Sequence, residues 1–417
     1  MTAYKRFYTS LFVSRAVPAG LALVVLGAAC GSGPAQGERS GSDPVARSTP
    51  RAGRPDAAPG PAARRPALLL PVSATFISPS TGWLLADRCP PGAPTPRCSV
   101  VLRKTSDGGR QWVPAPAPGL AGQPGSVAQV RFADGANGWV FGPGLWVTHN
   151  GGASWRQLSI HGQRVTSLEA ADGRAVAVFT GTTTFHVYAS AVGSDTWQPV
   201  AGASGPALGS SQETSRNPQI AIEGSAAYVA SSALTGATDS PAGGGVLLSG
   251  PADGSAPWQR RRVPCPRYIS DQMPVAAAPG ELVLGCGGNA AMGTSLKYVY
   301  RSTDGGHTWA TGPAPDPNIG ELPAAGFLDN IAVTPAGAVV ASGDREAYFS
   351  WDNGTTWHTP AALAAAVRPN PDGDSVLIGM TTSEQGFALP ELSDANRSSW
   401  IWMTYDAGHT WTRMPLT

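Results

Sequence analysis

Apolar and polar positions along most of the chain follow a period near two, in short runs broken by turns. "VSATFIS" (72–78), "AQVRFAD" (128–134) and "DNIAVTP" (329–335) show it, which is the pattern of a strand with one buried face. Each is followed, after a tight turn, by a second strand-like run such as "GWLLAD" (82–87) or "GWVFG" (138–142). A third run, as in "KYVYRST" (297–303), enters a turn-rich segment ending in Trp, where a fourth begins. Four short strands joined by turns, again and again, predict an all-β chain of antiparallel units.

The turn-rich segment repeats. "RSTDGGHTW" (301–309) contains it, and it returns as "TSDGGRQW" (105–112), "THNGGASW" (148–155), "SWDNGTTW" (350–357) and "TYDAGHTW" (404–411). Five copies share Ser or Thr at position one, Asp or Asn at three, Gly at five and Trp at eight. Two degraded copies lie between them: "SAVGSDTW" (190–197) and "PADGSAPW" (251–258). The seven tryptophans recur at a period near fifty, which with strand-rich units is the signature of a propeller. Seven four-stranded blades are expected, near 68–118, 124–161, 162–203, 217–264, 272–315, 325–362 and 373–417. Six or eight remain open because the fourth unit is irregular.

Placed between the third and fourth strands, the motif reads as a hairpin turn. Asp107, Asn150, Asp304, Asp352 and Asp406 can accept hydrogen bonds from N–H groups two or three residues on, and Gly supplies a positive φ. Trp112, Trp155, Trp309, Trp357 and Trp411 are large enough to wedge between neighbouring sheets. Structure alone accounts for each residue type.

The motif resembles the Asp-box, or BNR, repeat of sialidases, sortilin-type receptors and photosystem II assembly-factor-like propellers. A second signature is similar to the last group: Phe76 before Gly82 and Trp83, Phe132 before Gly138 and Trp139, Met380 before Gly386 and Phe387. The resemblance covers about residues 68–417. It implies that the motifs are structural elements on the rim, away from any catalytic or binding mouth.

The N-terminus changes the picture of where the protein works. Lys5, Arg6 and Arg15 precede "AVPAGLALVVLGAAC" (16–30), an apolar run too short to span a bilayer but suited to a secretory signal. "LGAAC" resembles the lipobox of bacterial lipoproteins, with Gly27 where Leu is usual and Leu26 one residue further out. That resemblance implies cleavage before Cys30 and acylation of its thiol, anchoring the protein to the outer face of the bacterial cell membrane. Residues 31–67 hold no aromatic side chain and almost no large aliphatic one, so they are expected to form a disordered spacer.

Composition narrows the partners. Basic and acidic residues number 29 and 28, and no long single-sign run falls in the repeat region, which argues against nucleic acid. Export implies oxidising surroundings for Cys89, Cys98, Cys265 and Cys286. Three pairings exist. The local ones, Cys89 with Cys98 and Cys265 with Cys286, are favoured over metal binding, because no His lies near either pair. No cofactor and no metal is expected, and the expected state is a monomer.

Two functional classes compete. A sialidase-type glycoside hydrolase resembles this chain in its motifs but needs an arginine triad, a Tyr nucleophile paired with Glu and an acidic proton donor. Its Arg-Ile-Pro element has no counterpart before Trp112, and the nearest tripeptide, Arg262, Val263 and Pro264, follows the fourth repeat. Arg103, Arg131, Arg216, Arg267, Arg345 and Arg397 lie in separate blades and leave a dispersed triad open. No Gly-x-Ser-x-Gly or His-Glu-x-x-His pattern occurs, so no catalytic residue is assigned. The other class is a binding or assembly platform for a protein or glycan partner. Its support is the long, varied connections expected on one face, including 87–99, 264–273, 286–297 and 388–399, because recognition usually sits on loops of a rigid scaffold. Arg267, Tyr268, Asp271, Asp394 and Arg397 are the candidate contacts there.

Overall fold

The computed structural model describes residues 67–90, 98–119, 129–142, 144–160, 162–206, 218–232, 245–266, 273–291, 294–311, 322, 326–342, 347–366, 376–390 and 399–416. They form a seven-bladed β-propeller of antiparallel sheets in consecutive strand order. Blade 1 comprises β1 (Leu68–Phe76), β2 (Gly82–Cys89), β3 (Ser99–Thr105) and β4 (Val113–Ala115). Blade 2 comprises β5 (Gln129–Phe132), β6 (Gly138–Phe141), β7 (Leu145–Thr148) and β8 (Arg156–Leu158). Blade 3 runs through β9 (Arg164–Ala171), β10 (Arg174–Thr180), β11 (Thr184–Ala191) and β12 (Gln198–Pro206). Blade 4 holds β13 (Gln219–Glu223), β14 (Ala226–Ser231), β15 (Val246–Pro251) and β16 (Gln259–Arg261). Blade 5 holds β17 (Val275–Ala278), β18 (Glu281–Ala291), β19 (Thr294–Ser302) and β20 (Ala310–Thr311). Blade 6 has β21 (Asn330–Val333), β22 (Val339–Ser342) and β23 (Ala347–Ser350), then the helix α1 (Ala361–Ala366). Blade 7 has β24 (Val376–Met380), β25 (Gly386–Pro390), β26 (Trp400–Thr404) and β27 (Thr412–Pro415).

The core is divided among the seams between blades. Every motif Trp packs into the seam that its blade shares with the preceding one. Trp155 meets Trp83, Leu85 and Leu102 of blade 1, whereas Trp411 meets Val340, Ala347 and Phe349 of blade 6. Trp112 joins Phe387, Leu389, Ile401 and Met403 of blade 7, and so closes the ring. Strands of the two chain ends do not mix: blade 1 contains only N-terminal strands and blade 7 only C-terminal ones. The last seam is therefore held by side chains. Gln385 Nε2 donates to Pro79 O at 2.8 Å, Tyr405 Oη to Gly108 O at 2.8 Å and Leu69 N to Ser399 Oγ at 2.8 Å.

The Phe/Gly/Trp signature has a packing cause. Phe76 lies directly opposite Gly82 across the hairpin, and Phe132 opposite Gly138. A Cβ on either glycine would fall within 2.6 Å of the facing ring, so the aromatic lies flat where a side chain would stand. The following Trp83 then stacks on Phe132 of the next blade, ring centroids 3.7 Å apart.

Blade 6 departs from the four-stranded expectation. One bridge, Phe349 to His358 with both N–H···O distances at 2.8 Å, stands where a fourth strand begins. In an antiparallel ladder, hydrogen-bonded positions alternate. Pro114, Pro199 and Pro415 fall an even number of residues after their motif Trp, where the missing N–H points away from the neighbour. Pro360 falls three after Trp357, where the ladder needs a donor, and the strand gives way to α1. Leu363 of α1 is buried against Phe349 and Val376. The connection expected at 286–297 is also mostly strand: β18 runs to Ala291 and β19 starts at Thr294, so residues 285–291 of "GCGGNAAMG" lie in β18 and pair with β19.

Cys89 is joined to Cys98, and Cys265 to Cys286. The first closes the β2–β3 connection. The second ties the chain leaving blade 4 to β18 of blade 5. Among the described residues, no helix is long and apolar enough to cross a membrane.

Candidate functional site

The propeller presents two unlike faces. On one lie the turns between first and second strands and the motif turns between third and fourth. On the other lie the described ends of the remaining connections and the start of β1.

The motif turns share one construction. In blade 5, Ser302 Oγ donates to Asp304 Oδ1 at 2.8 Å and accepts from Gly306 N at 2.8 Å. Asp304 in turn receives Thr308 N at 2.8 Å on Oδ1 and Thr308 Oγ1 at 2.6 Å on Oδ2. The carboxylate also takes the expected bond three residues on, from His307 N at 3.0 Å, and reaches one residue further to Thr308. Asp107, Asn150, Asp352 and Asp406 each accept the N–H at the same offset, from Gln111, Ser154, Thr356 and Thr410. Two consecutive residues, not one, take positive φ: Gly108 and Gly109, Gly151 and Gly152, Gly305 and Gly306, Asn353 and Gly354, Ala407 and Gly408.

These bonds fix the electrostatics. Thr308's hydroxyl, then its N–H, hold the Asp304 carboxyl far below the usual carboxylate range. Asp352 falls to about 2, led by the Thr356 hydroxyl and then its N–H. For Asp107 the Gln111 N–H is the main cause of a lowered value. At Asp406 burial pushes upward, but hydrogen bonds from Thr410 and Thr404 outweigh it. The turns also latch neighbouring blades through the carbonyl at position four: Trp83 Nε1 donates to Gly151 O at 3.2 Å and Trp351 Nε1 to Ala407 O at 2.8 Å. Trp112 and Trp411 are buried, whereas Trp155, Trp309 and Trp357 are only partly so.

The first strands ring the central axis, and side chains of one blade satisfy the inner edge of the next. Val130 N donates to Ser73 Oγ at 3.2 Å, and Ile378 N to Asn330 Oδ1 at 3.4 Å. Arg131 of β5 is engaged there by Glu169 of β9, Nε to Oε1 at 2.6 Å. Arg103 stands on the third strand of blade 1, where burial and then the charge of Arg88 lower its pKa. The two described arginines of the six thus do not converge. Two tyrosines have raised pKa values: Tyr228 through burial and then Glu223, Tyr405 through burial and then Asp107, with a nearby arginine opposing in each case. Among the described residues no group of three His, Cys, Asp or Glu is placed to hold a metal.

The candidate contacts Arg267, Tyr268, Asp271, Asp394 and Arg397 lie outside the described residues, as do Cys30 and the 31–66 stretch. Their flanks are described. Cys265 is buried in its disulfide before 267–272, and beyond it Met273 is buried while Pro274 O accepts from Gly285 N at 2.8 Å. After 391–398, Ser399 O accepts Leu416 N at 2.8 Å. Val113 is the one large hydrophobic residue exposed among those described.

No protein-family model matches the chain, and no curated protein does. Solved structures do. A structure described as YCF48 bound to D1 peptide is 19% identical, with a TM-score of 0.52 over 82% of this chain and 95% of that one. YCF48 from Cyanidioschyzon merolae is 14% identical, TM-score 0.50, over 83% and 98%. An ancestral GH74 enzyme is 12% identical, TM-score 0.52, over 85% of this chain but 47% of that one. At these identities the likeness is one of fold.

Proposed function

We propose that the chain is an exported lipoprotein, acylated at Cys30 and held on the outer face of the cell membrane, whose propeller is a non-catalytic platform for a protein partner. The motif turns are, on this reading, Asp boxes of the BNR type. The observation that carries it is the contrast between the faces. On the motif face, the position-three side chains are committed to holding turns. The connections expected to vary include 267–272 and 391–398, whose described flanks are well packed. The fold likeness to a protein described with a bound peptide supports a polypeptide as the partner.

Glycoside hydrolysis is the second reading, favoured by the GH74 likeness. It has less support from the described groups. A carboxylic acid donor needs a raised pKa, whereas every described carboxylate with a shift has a lowered one. Tyr228 and Tyr405 are shifted upward, away from nucleophilic activation.

Affinity capture from the cell envelope tests the platform. Arg267→Ala with Tyr268→Ala is expected to lose the captured partner and leave the melting temperature unchanged, as substitutions at residues that serve binding rather than packing do. Ser80→Ala, in a short turn of the motif face, is expected to retain it. Loss with Ser80→Ala alone would put the binding face on the wrong side. Cys30→Ser is expected to move the protein from the membrane to the soluble exported fraction.

A further inference from the structure

Three departures from the repeat converge on the seam between blades 2 and 3. Blade 2 has Asn150 where most copies have Asp, and blade 3 has Val192 at the same position. The missing carboxylate reappears three residues later, as Asp195, and faces blade 2. There His149 Nε2 lies 3.2 Å from Asp195 Oδ1, and Arg156 is paired with Asp195 Oδ2.

The hydrogen-bond directions around His149 are determined by its neighbours. The Asp134 carboxylate can only accept, and it takes Asn137 Nδ2 at 2.8 and 3.1 Å together with the N–H groups of Ala136 and Asn137, each at 2.7 Å. Asn137 therefore turns its Oδ1 toward His149. That oxygen is 2.8 Å from His149 Nδ1, so Nδ1 must carry a proton and donate. On the other side, Asp195 Oδ1 is also an acceptor, so Nε2 can bond to it only by donating as well. A neutral ring has one N–H and cannot satisfy both. If Nδ1 keeps the proton, a lone pair of Nε2 meets a carboxylate.

We infer that His149 is a proton-operated latch between blades 2 and 3, closed when the ring carries both protons and open when it loses one. The charged groups around the ring are two carboxylates, Asp134 and Asp195, and one guanidinium, Arg156. Lys104 of blade 1 lies over the Trp83 ring, whose Nε1 bonds to Gly151 O beyond His149. Histidine is the side chain that changes charge between about pH 5 and 8, so the latch tightens as the surroundings acidify. The sign is opposite to that of the Asp turns, whose carboxylates lose their bonds on protonation. With Asn150 and Val192 at its two turns, this seam has no position-three carboxylate to lose in acid.

Hydrogen exchange of the full chain tests the latch, read at the hydrogen-bonded amides of Val192, Ser194 and Thr196 in the turn that carries Asp195 and corrected for the intrinsic pH dependence of exchange. These amides are expected to exchange at least tenfold faster at pH 8.5 than at pH 5.5, roughly spanning the histidine range. His149→Gln, which cannot gain or lose a proton there, is expected to show no such difference. Asp195→Asn supplies an amide N–H that a neutral Nε2 can accept, and is expected to give slow exchange at both pH values. A wild type without the difference, or a His149→Gln variant that keeps it, overturns the proposal. Failure of Asp195→Asn to remove the difference overturns it as well.

Discussion

Blades 3 and 4 carry degraded motif turns and the other five carry intact ones, yet all seven blades form. In an intact turn, the Ser or Thr at position one is buried and accepts the N–H at position five, as Gly109 N to Thr105 Oγ1 at 2.9 Å. That geometry needs two left-handed residues in succession. In the degraded turns, Ser194 and Ser255 stand at position five, and only Gly193 and Gly254 have positive φ. Contacts with the preceding blade take over. Trp258 N donates to Ala201 O of β12 at 2.8 Å, where a bulge from Val200 to Ala203 packs against Trp258, and Asp253 lies 3.9 Å from Arg174. The shared requirement is the Trp in the seam. The Asp turn is one of several ways to deliver it.

The comparison breaks first at the tryptophans. Trp411→Ala and Trp258→Ala are expected to cost about 3–5 kcal/mol each, one from an intact turn and one from a degraded turn, because both indoles are buried. Trp309→Ala, from a partly exposed site, is expected to cost clearly less. Denaturant unfolding orders the three, and a small loss at Trp258 would make that seam dispensable.

Next come the glycines at position five. Gly306→Ala places a Cβ at φ +83° and is expected to cost about 1–2 kcal/mol, the left-handed penalty for a residue with a side chain. Ser194 already has a side chain at that position in blade 3, so Ser194→Ala carries no left-handed penalty and is expected to cost only the exposed hydrogen bond that its Oγ accepts from Thr196 N, about 0.5 kcal/mol.

Acid sharpens the contrast further. A lowered carboxyl pKa stabilises the fold above the ordinary carboxylate value and loses that contribution as pH falls through the folded-state value. For Asp352 the loss runs from its usual 3.8 down to about 2. Asp352→Asn is expected to flatten the acid limb of melting temperature against pH, whereas Asn150→Asp adds a carboxylate and steepens it.

The last effect is a small gain. Ala407 holds φ +62° without being glycine. Ala407→Gly is expected to stabilise by about 0.5–1 kcal/mol, the left-handed strain relieved less the entropy glycine loses on folding. Calorimetry would resolve it.

Much of this was legible in one dimension. The alternating runs, the Trp period and the motif spacing are local properties, and local hydrogen bonding suffices to make the turns. The second left-handed position could have been read from "GG" at 108–109, 151–152 and 305–306, but Asn353 and Ala407 hide it. Pro360 was equally readable once strand parity was counted from Trp357. The hairpin at 285–297 was not, because its glycines look like a loop until the neighbouring blade covers them: a Cβ on Gly285 would come within 2.7 Å of Leu328.

By itself, then, the amino-acid order determined the unit: four short strands, a hydrogen-bonded turn and an indole at its end. Those depend on residues within a few positions of one another. The tertiary structure alone decided which seam each indole fills, how Gln385 and Tyr405 of blade 7 reach across to blade 1 about 300 residues away, and why Asp195 left its turn to face His149. Such pairings carry no local signature, because they depend on the rotation that brings one blade against the next.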